Sequence, residues 1–369
     1  MTAPTAAVTL PVWLPGVSWS GRIARGLVWA AIAGAVVATT FASSIVVDVQ
    51  SAAIYAIVGL SMNVLVGYAG QLSLGQQGLW GLGALVAANV AHTEASAADP
   101  WRFGFCIAAA AIVTALAAAA LGLVALRIQG LYLALLTLIF GTTIADTLFA
   151  DNSLNGHSAG VPANKPVFAN SDTRFALFCL AMVLVCVYVD RCLMASKVGR
   201  SFVALREDER AAQAFGINVT GAKLLAFALS GAFVGMAGAL HAFQFNQFSQ
   251  KDFTDVAGFN LALTFAVMAV VGGLGSRAGV LVASAFFGVL PALLEWIFRL
   301  AHASIYYNDH KNYLPGLIAA VLLLQTVIMN PGGLGQVISP LTSWLGGGPF
   351  RHPKHDLVLP GAGRVDTRA

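Results

Sequence analysis

Polar side chains interrupt a long apolar stretch in the first quarter of the chain. They are Asn63, Gln71, Ser73, Gln76 and Gln77. Amide and hydroxyl groups donate and accept hydrogen bonds, and within a membrane each of them needs a protein partner because lipid offers none. Two uses of these groups stay open. They could line a path for a polar solute, or they could bond to neighbouring helices and hold a bundle together.

Glycines occupy the same stretch, at Gly67, Gly70, Gly75, Gly78 and Gly81. On an ideal helix these five residues fall within an arc of about 140°. Glycine costs about 1 kcal/mol relative to alanine in a helix, so we expect another backbone to approach this face closely. The stretch is therefore predicted to be a tightly packed helix, either continuous or broken. A second glycine-rich break, at Gly272, Gly273 and Gly275, suggests an internal duplication with a pathway between the two breaks.

The densest charge in the chain lies between Ser196 and Phe227. Asp208 is placed to cap a short helix, and Glu209 suits the positive end of that helix. Gly216 stands where a left-handed helix stop is expected. These signals predict a helix of about two turns that forms a compact knob with Phe215 at its apolar end. The knob could plug into a groove on a partner, or the segment could be an ordinary solvated loop.

No set of residues has the types and spacing of a catalytic or metal site. Asp146 and Glu295 are the carboxylates predicted to lie deepest in membrane spans. We interpret them as structural, since Asp146 lies near the end of its span and Arg299 follows Glu295 at the i+4 position. His241 is interpreted as an interfacial residue. A phosphate-binding G-x-x-x-x-G-K-[ST] loop is absent, so the chain is not expected to hydrolyse ATP.

The composition indicates a polytopic membrane protein. Of the 369 residues, 58% are hydrophobic and only 10% are charged, whereas soluble domains carry about 25% charged residues. A span needs about 20 mostly apolar residues and must satisfy its own backbone hydrogen bonds, so we predict an all-α fold. About ten transmembrane helices are predicted, near residues 26–46, 49–66, 72–91, 104–126, 131–150, 174–193, 223–243, 258–275, 278–300 and 313–330.

The distribution of Lys and Arg predicts the orientation. With the N-terminus inside, fourteen of the 20 Lys and Arg residues fall on the cytoplasmic side and six on the other. Both termini and the 194–222 loop are therefore expected in the cytoplasm. We divide the chain into a cytoplasmic segment 1–25, a transmembrane domain 26–335 and a cytoplasmic tail 336–369 that is predicted to be disordered. Short helices are allowed for on the outer rim, in the connections 151–173 and 243–257.

Five stretches, taken in order, resemble those of one family. They read GYAGQLSLGQQGLWGLGA (67–84), LYLALLTLIFG (131–141), VGRSFVALREDERAAQAFGINVTGAKLLAFALSGAFVGMAGAL (198–240), VVGGLGSRAGVLVASAFFGVLP (270–291) and YLPGLIAAVLLLQTVIMNPGGLG (313–335). On these motifs the chain resembles the permease subunits of bacterial ABC importers for branched-chain amino acids, specifically the larger of the two permease types. The resemblance covers about residues 50–335. It departs at SLNGHSAGVP (153–162), where the family usually has Thr-Gly-Gly and this chain carries His157.

The resemblance implies an ATP-driven importer in the bacterial inner membrane. This chain would form the translocation pathway for leucine, isoleucine or valine together with a second homologous permease subunit. A periplasmic solute-binding protein would deliver the solute, and two cytoplasmic ABC ATPase subunits would bind ATP and Mg²⁺. The chain itself is then expected to hold no cofactor and no metal. Membrane lipid would surround the spans, and no nucleic acid is expected as a partner.

The charged loop would be the coupling helix that inserts into a groove of the ATPase. The residues expected to contribute to this coupling are Leu205, Arg206, Glu207, Asp208, Glu209, Arg210, Phe215 and Gly216. The departure at 153–162 leaves open that the same machinery imports urea, short amides or another small polar solute. A stand-alone secondary transporter and an intramembrane enzyme are further alternatives, but the spans offer few of the ionisable groups that either would need.

Overall fold

The computed structural model describes residues 43–93, 100–128, 130–151, 154, 160–166, 169–249, 253, 261–300, 314–329 and 332–338. Three of the predicted segments fall largely or wholly outside these residues. They are the N-terminal segment 1–25, the first predicted span 26–46 and the tail, of which only 336–338 is described. His157 is also outside the described residues.

Helices make up almost all of the described chain. The helices are α1 Ser43–Met62, a π-helix Asn63–Tyr68, α2 Gln76–Thr93, α3 Pro100–Ala125, α4 Leu131–Thr147, α5 Asp172–Ala195, α6 Lys197–Glu207, α7 Glu209–Ala214, α8 Val219–Gln244, α9 Leu261–Gly272, α10 Arg277–Leu300 and α11 Leu314–Met329. Two short strands complete them, β1 Val161–Pro162 and β2 Gln247–Phe248. The prediction of an all-α fold is confirmed.

Membrane-spanning length is reached by five helical segments of the described chain. They are Val46–Tyr68, Trp101–Val124, Asp172–Ala195, Val219–Gln244 and Arg277–Leu300. Three shorter apolar helices, α4, α9 and α11, accompany them. With α2, each predicted span from 49–66 onwards therefore corresponds to a helix among the described residues. The first predicted span, 26–46, lies mostly beyond them.

Helix α8 forms the centre of the bundle and packs against α2 and α3. Glycines allow the close approach. A Cβ atom at Gly83 of α2 would lie only 2.5 Å from the carbonyl oxygen of Gly235 in α8, and one at Gly231 would lie 2.6 Å from the carbonyl oxygen of Thr114 in α3. Such small-residue contacts replace the hydrophobic driving force that is missing between helices in lipid. The peripheral helices instead expose apolar side chains, such as Leu116, which is 66% exposed.

The two connections in which rim helices were allowed for each contain a short strand, and these strands pair with each other, whereas Leu154 and Ala169 are helical. Val161 lies opposite Phe248 and Pro162 opposite Gln247 in an antiparallel pair. The pairing continues beyond the strands, where the Ala163 amide donates to the carbonyl oxygen of Asn246 over 3.0 Å. Valine, proline and phenylalanine favour extended over helical backbone, which accounts for the difference at these residues.

Candidate functional site at the loop end of the bundle

The charged loop contains the predicted short helix, α7, between α6 and α8. The side chain of Asp208 accepts hydrogen bonds from the amides of Arg210 and Ala211, at 2.7 and 3.2 Å. At the other end Gly216 has φ of 79°. The Ile217 amide donates to Ala212 O and the Gly216 amide to Gln213 O, which is the paired bonding of a Schellman stop. The predicted cap, helix and glycine stop are therefore confirmed.

Two contacts fasten α7 to the bundle. Glu209 accepts from Lys223 near the start of α8, with 2.7 Å between the carboxylate oxygen and Nζ. The Lys223 side chain is only 2% exposed, and a buried ammonium is costly unless it is paired. Ala212 on the same helix is also buried. The short helix is thus a fixed part of the protein surface.

The remaining loop residues divide into buried and exposed ones. Phe215 is 86% exposed, and Glu207, Asp208 and Arg210 are exposed as well. Leu205 is only 2% exposed, so it packs inside the protein and does not offer its side chain to a partner. A contribution of Leu205 to coupling stays a prediction. Phe215 is thus the most exposed large apolar side chain of the charged loop.

An open cavity separates the loop from the first glycine-rich break. Its volume is about 710 Å³. Ala69, Gly70 and Gln71 line one side of it, and residues 205–210 with Gln213 line the other. We call the end of the bundle that carries this cavity and the loop the loop end, and the opposite end the far end.

The first glycine-rich stretch is broken, as the glycines suggested. It does not form the continuous helix on which the five glycines would share one face. The chain leaves α1 through the π-helix and becomes irregular from Ala69 to Gly75, and α2 begins at Gln76. Gly70 has φ of 68°, a left-handed conformation that ends a right-handed helix. The five glycines therefore cannot share one helical face. π-helical segments are rare in proteins overall, and those that occur often lie at functional sites.

Several of the predicted glycines nevertheless allow the close contacts expected of them. A Cβ atom at Gly75 would lie 2.6 Å from Thr137 O, and one at Gly78 would lie 2.7 Å from the Cα of Gly141. At Gly81 it would overlap the ring of Phe149. Gly83, Gly235 and Gly238 take part in equally close contacts that the sequence analysis missed. The spacing of Gly231, Gly235 and Gly238 was the available signal.

The second break meets the first directly. Gly273 and Gly275 have φ of 92° and 87°. The Gly275 amide donates to Asn63 Oδ1 over 2.8 Å. A Cβ atom at Gly67 would lie 2.7 Å from the same amide nitrogen. The expected pathway between the two breaks is therefore closed at this level, because the breaks contact each other.

Arg206 joins the loop to this contact. It lies in the last turn of α6, and its Nη1 donates to the carbonyl oxygen of Gly67 over 2.6 Å. A charge-assisted hydrogen bond of this kind contributes about 1.5–3 kcal/mol where it is shielded from water. Since Arg206 is largely exposed, the lower part of that range applies.

A buried carboxylate that the sequence analysis did not identify holds the same region together. Asp190 in α5 is 0% exposed, and its Oδ2 accepts from Nε of Arg277 and from the hydroxyl of Tyr68. The carboxylate thereby links α5, the π-helix and α10. Its position near the loop end of a predicted span was visible, but a partner 87 positions away was not.

We call this set of residues the loop-end junction. It consists of Asn63, Gly67, Tyr68, Asp190, Arg206, Gly275 and Arg277. Three of these four hydrogen bonds involve a charged side chain. All of them join elements that are distant in sequence. The junction therefore connects the charged loop, both helix breaks and α5.

Each of the five polar residues proposed for a solute path is buried. Gln76 donates to Ser230 Oγ over 2.8 Å and accepts from Ser61 Oγ over 3.3 Å. Gln77 Oε1 accepts from the Ala262 amide over 3.0 Å. Together with the bond of Asn63 to Gly275, these contacts support the interpretation of interhelical bonding in this conformation.

Gln71 and Ser73 differ from the other three because they lie in the irregular segment. Gln71 Nε2 donates to Ala69 O over 3.3 Å, and Ser73 Oγ accepts from the Gly75 amide over 3.4 Å. Both contacts are local and long, so neither fixes the side chain strongly. Contact of any of the five residues with a solute stays a prediction.

An aromatic cluster occupies the far half of the bundle. Its centre is Trp80, with ring centroids at 4.4 Å from His241, 4.8 Å from Phe253 and 5.5 Å from Phe265. His241 is half-buried and packs among these rings in the last turn of α8, and its interpretation as an interfacial residue stays a prediction. We call this set the far-half aromatic cluster; it comprises Tyr55, Trp80, Phe149, His241, Phe248, Phe253 and Phe265.

The two carboxylates interpreted as structural need no further role. Glu295 pairs with Arg299 over 2.6 Å, as the i+4 spacing predicted, and both side chains are exposed. Asp146 is exposed near the end of α4. Among the described residues no group of three His, Cys, Asp or Glu side chains could hold a metal ion.

A bundle of apolar helices, two touching helix breaks and a fixed charged loop define a multi-pass membrane protein of the transport-permease class. The chain belongs to the family of branched-chain amino acid transport system permease components, whose model matches residues 44–327. The resemblance noted on the sequence motifs is thereby confirmed.

Relatives in bacteria and an archaeon support this assignment. The high-affinity branched-chain amino acid transport system permease protein LivM of Salmonella typhimurium is 31% identical over 319 residues, which cover 78% of this chain and 69% of the relative. LivM of Escherichia coli K12 is 30% identical with the same coverage. The probable branched-chain amino acid transport permease protein LivH of Methanocaldococcus jannaschii is 26% identical over 221 residues, 59% of this chain and 62% of the relative. No solved structure matches the chain significantly.

Proposed function

We propose that this chain is the inner-membrane permease subunit of an ATP-driven importer of leucine, isoleucine and valine. It forms the translocation pathway with a second, homologous permease subunit, and the loop end faces the cytoplasm. Two separate ATPase subunits bind ATP and Mg²⁺, and a periplasmic binding protein delivers the solute. Support for the solute comes from the names of the relatives, all of which are branched-chain amino acid permeases.

The observation that carries the coupling proposal is the exposed Phe215 on a fixed short helix. Asp208, Gly216 and the Lys223–Glu209 pair hold α7 in one position, so little ordering cost remains when a partner binds. Phe215 then offers an apolar anchor surrounded by charges, an arrangement typical of interface centres. The chain also lacks a phosphate-binding loop, so the ATPase activity has to reside in a partner.

Transport by such a subunit is mechanical. A partner that binds the loop differently in its ATP-bound and nucleotide-free states shifts the permease between inward-open and outward-open conformations. The loop-end junction is where this shift would act first, because it joins the loop to both helix breaks. The binding protein supplies most of the selectivity, so the pathway needs no tight solute site.

The coupling proposal is tested by the association of the ATPase subunits. Burial of a phenylalanine side chain is worth about 1.5–3 kcal/mol. We therefore expect Phe215→Asp to weaken the binding of purified ATPase by about 10- to 100-fold. Val203→Ala is the matched control, since Val203 is another exposed apolar residue, on the neighbouring helix. Microscale thermophoresis measures the dissociation constant of the ATPase for each permease variant in nanodiscs. An unchanged dissociation constant for Phe215→Asp would show that α7 is not the docking element.

The solute is tested separately, with the periplasmic binding protein encoded beside this permease. Calorimetric titration with leucine, isoleucine, valine, urea and acetamide ranks the candidates. Tightest binding of a branched-chain amino acid supports the proposal. Preferential binding of urea or acetamide contradicts the solute and leaves the coupling proposal standing.

A further inference from the structure

Arg206 reaches both helix breaks from the charged loop. Its aliphatic stem passes over Gly70, where a Cβ atom would lie 3.1 Å from Cγ of the arginine. Its guanidinium ends between Gly67, whose carbonyl oxygen it binds over 2.6 Å, and Gly275, where a Cβ atom would lie 3.3 Å from Nη1. One side chain thus spans the cavity wall from α6 to the backbone of both breaks.

The carbonyl that Arg206 binds needs a donor. The π-helix ends at Tyr68, and the carbonyls of a last helical turn have no following amides of their own. Nearby carbonyls are satisfied locally: Val64 O accepts from the Ala69 amide, and Leu65 O accepts from the Gln71 amide. The chain turns away at Gly70, and Arg206 supplies the donor for Gly67. A cation at a helix C-terminus is also favoured by the helix dipole.

The path of the arginine depends on glycine at two positions. Gly70 and Gly275 both have positive φ, at 68° and 87°, which other residues adopt only with strain. Any side chain at either position would also meet the stem or the guanidinium of Arg206. The backbone geometry of the breaks and the position of the arginine therefore depend on each other.

We propose that Arg206 is the positioning residue that transmits displacement of the loop to the two helix breaks. The inference rests on the proposed function, because it takes the loop to be moved by a bound ATPase. When α6 moves, the guanidinium pulls on the Gly67 carbonyl or releases it. The first break then shifts against Gly275, and the bond between the Gly275 amide and Asn63 opens. The charged residues beyond Arg206 serve docking, whereas Arg206 serves transmission.

The test uses the whole transporter, with both permease and both ATPase subunits, in proteoliposomes with the loaded binding protein. We expect Arg206→Ala to lower leucine uptake per ATP hydrolysed by about tenfold, while the ATPase subunits stay bound in normal amount. Arg206→Lys keeps a cationic donor and should recover part of the coupling. Arg200→Ala is the matched control, because Arg200 lies exposed on the same helix and its hydrogen bond among the described residues is a local one, to Ala195 O over 3.4 Å.

A distance measurement tests the movement itself. Spin labels on Leu72→Cys and Leu274→Cys report on the two breaks, since both leucines are exposed. Cys192, the exposed cysteine among the four, is replaced by serine in this background. In the wild-type background, trapping with a non-hydrolysable ATP analogue should shift the distance between the labels. In Arg206→Ala the shift should be lost.

Each outcome decides something different. Wild-type stoichiometry and an unchanged distance shift in Arg206→Ala would overturn the transmission role. Loss of the ATPase subunits from this variant would make Arg206 a docking contact and would overturn it too. If Arg206→Ala fails to fold, Arg206→Lys replaces it in both assays: a lowered uptake per ATP with the ATPase subunits still bound supports the transmission role, and a wild-type ratio with an unchanged distance shift overturns it. Failure of the wild-type chain to bind any ATPase would refute the proposed function itself.

Discussion

The loop-end junction and the far-half aromatic cluster hold neighbouring parts of the same helices by different physical means. In the junction, charged and amide side chains bind particular atoms, such as the Gly67 carbonyl oxygen and Asn63 Oδ1. In the cluster, rings pack edge to face around Trp80, and the indole Nε1 finds no hydrogen-bond partner. A hydrogen bond weakens steeply when its direction changes, whereas ring packing sums many weak dispersion contacts.

This difference indicates which end of the bundle is suited to switching. Breaking a polar junction and re-forming it elsewhere needs a defined trigger, which the charged loop would supply if Arg206 has the proposed transmission role. Among the described residues, no charged side chain comparable to Arg206 joins the loop to the aromatic cluster. The connections 151–173 and 243–257 beside the cluster are paired with each other at Val161 and Phe248. The far half therefore acts as the stable part of the bundle. Three measurements of stability can break or sharpen this contrast.

The largest effect is expected from Trp80→Ala. Trp80 is fully buried at the centre of the cluster, and removing an indole from a packed interior costs about 3–5 kcal/mol. Trp80→Phe should cost far less, about 1 kcal/mol, because the lost Nε1 has no partner and most of the ring volume remains. The free energy of unfolding of both variants is measured in mixed detergent micelles. Far-ultraviolet circular dichroism monitors the loss of helix, so the readout does not depend on tryptophan. Similar losses for the two variants would show that the cluster is directional after all.

The second effect is expected from Asp190→Asn, which conserves shape but removes the charge. Arg277 would then lose its carboxylate, and we expect a loss of about 2–3 kcal/mol, below that of a fully buried pair because Arg277 is 33% exposed. The double variant Asp190→Leu/Arg277→Leu removes both charges and should regain much of the stability. Glu295→Gln breaks an exposed pair and serves as the control, with an expected change of about 0–1 kcal/mol. A loss for Asp190→Asn as small as for this control would remove the distinction between the two regions.

The smallest difference is expected between glycine variants of the two regions. A Cβ atom at Gly279 would overlap the backbone carbonyl of Gly272, whereas one at Gly81 would overlap the ring of Phe149. A ring can rotate away and a backbone cannot, so Gly279→Ala should cost about 2–3 kcal/mol and Gly81→Ala about 1 kcal/mol. Gly104 has no atom within 4 Å of such a Cβ position, so Gly104→Ala should be neutral or stabilising. The same unfolding assay measures all three, and the reverse order of Gly279 and Gly81 would contradict the contrast.

Local features were predictable from the sequence because their signals lie within a few residues. The cap at Asp208 and the stop at Gly216 bound α7 as expected, and Glu295 pairs with Arg299 one turn away. The apolar runs also predicted the helices, because a span must satisfy its own backbone. Glycine at position 70 indicated that the helix could break there. Placing all five glycines on one helical face, however, assumed a continuous helix, which the conformation of Gly70 prevents.

Contacts between distant segments were not predictable in this way. The sequence around Asp190 does not indicate that Arg277 is its partner, and the sequence around Val161 does not indicate that it pairs with Phe248. Leu205 illustrates the same limit, since burial of one face of α6 depends on the helices behind it. The roles of the loop residues and of the five polar side chains stay predictions, because they concern molecules outside this chain.

The bond between Asn63 and Gly275 also constrains how the protein is made. The two residues are 212 positions apart, and a ribosome adds about 5–20 residues per second. The Asn63 amide therefore enters the bilayer about 10–40 seconds before its native partner has been synthesised. An unpaired amide in hydrocarbon costs several kcal/mol, so the early spans must wait beside the insertion machinery or share a temporary donor. The residue that closes the finished junction is thus also a point of vulnerability during membrane insertion.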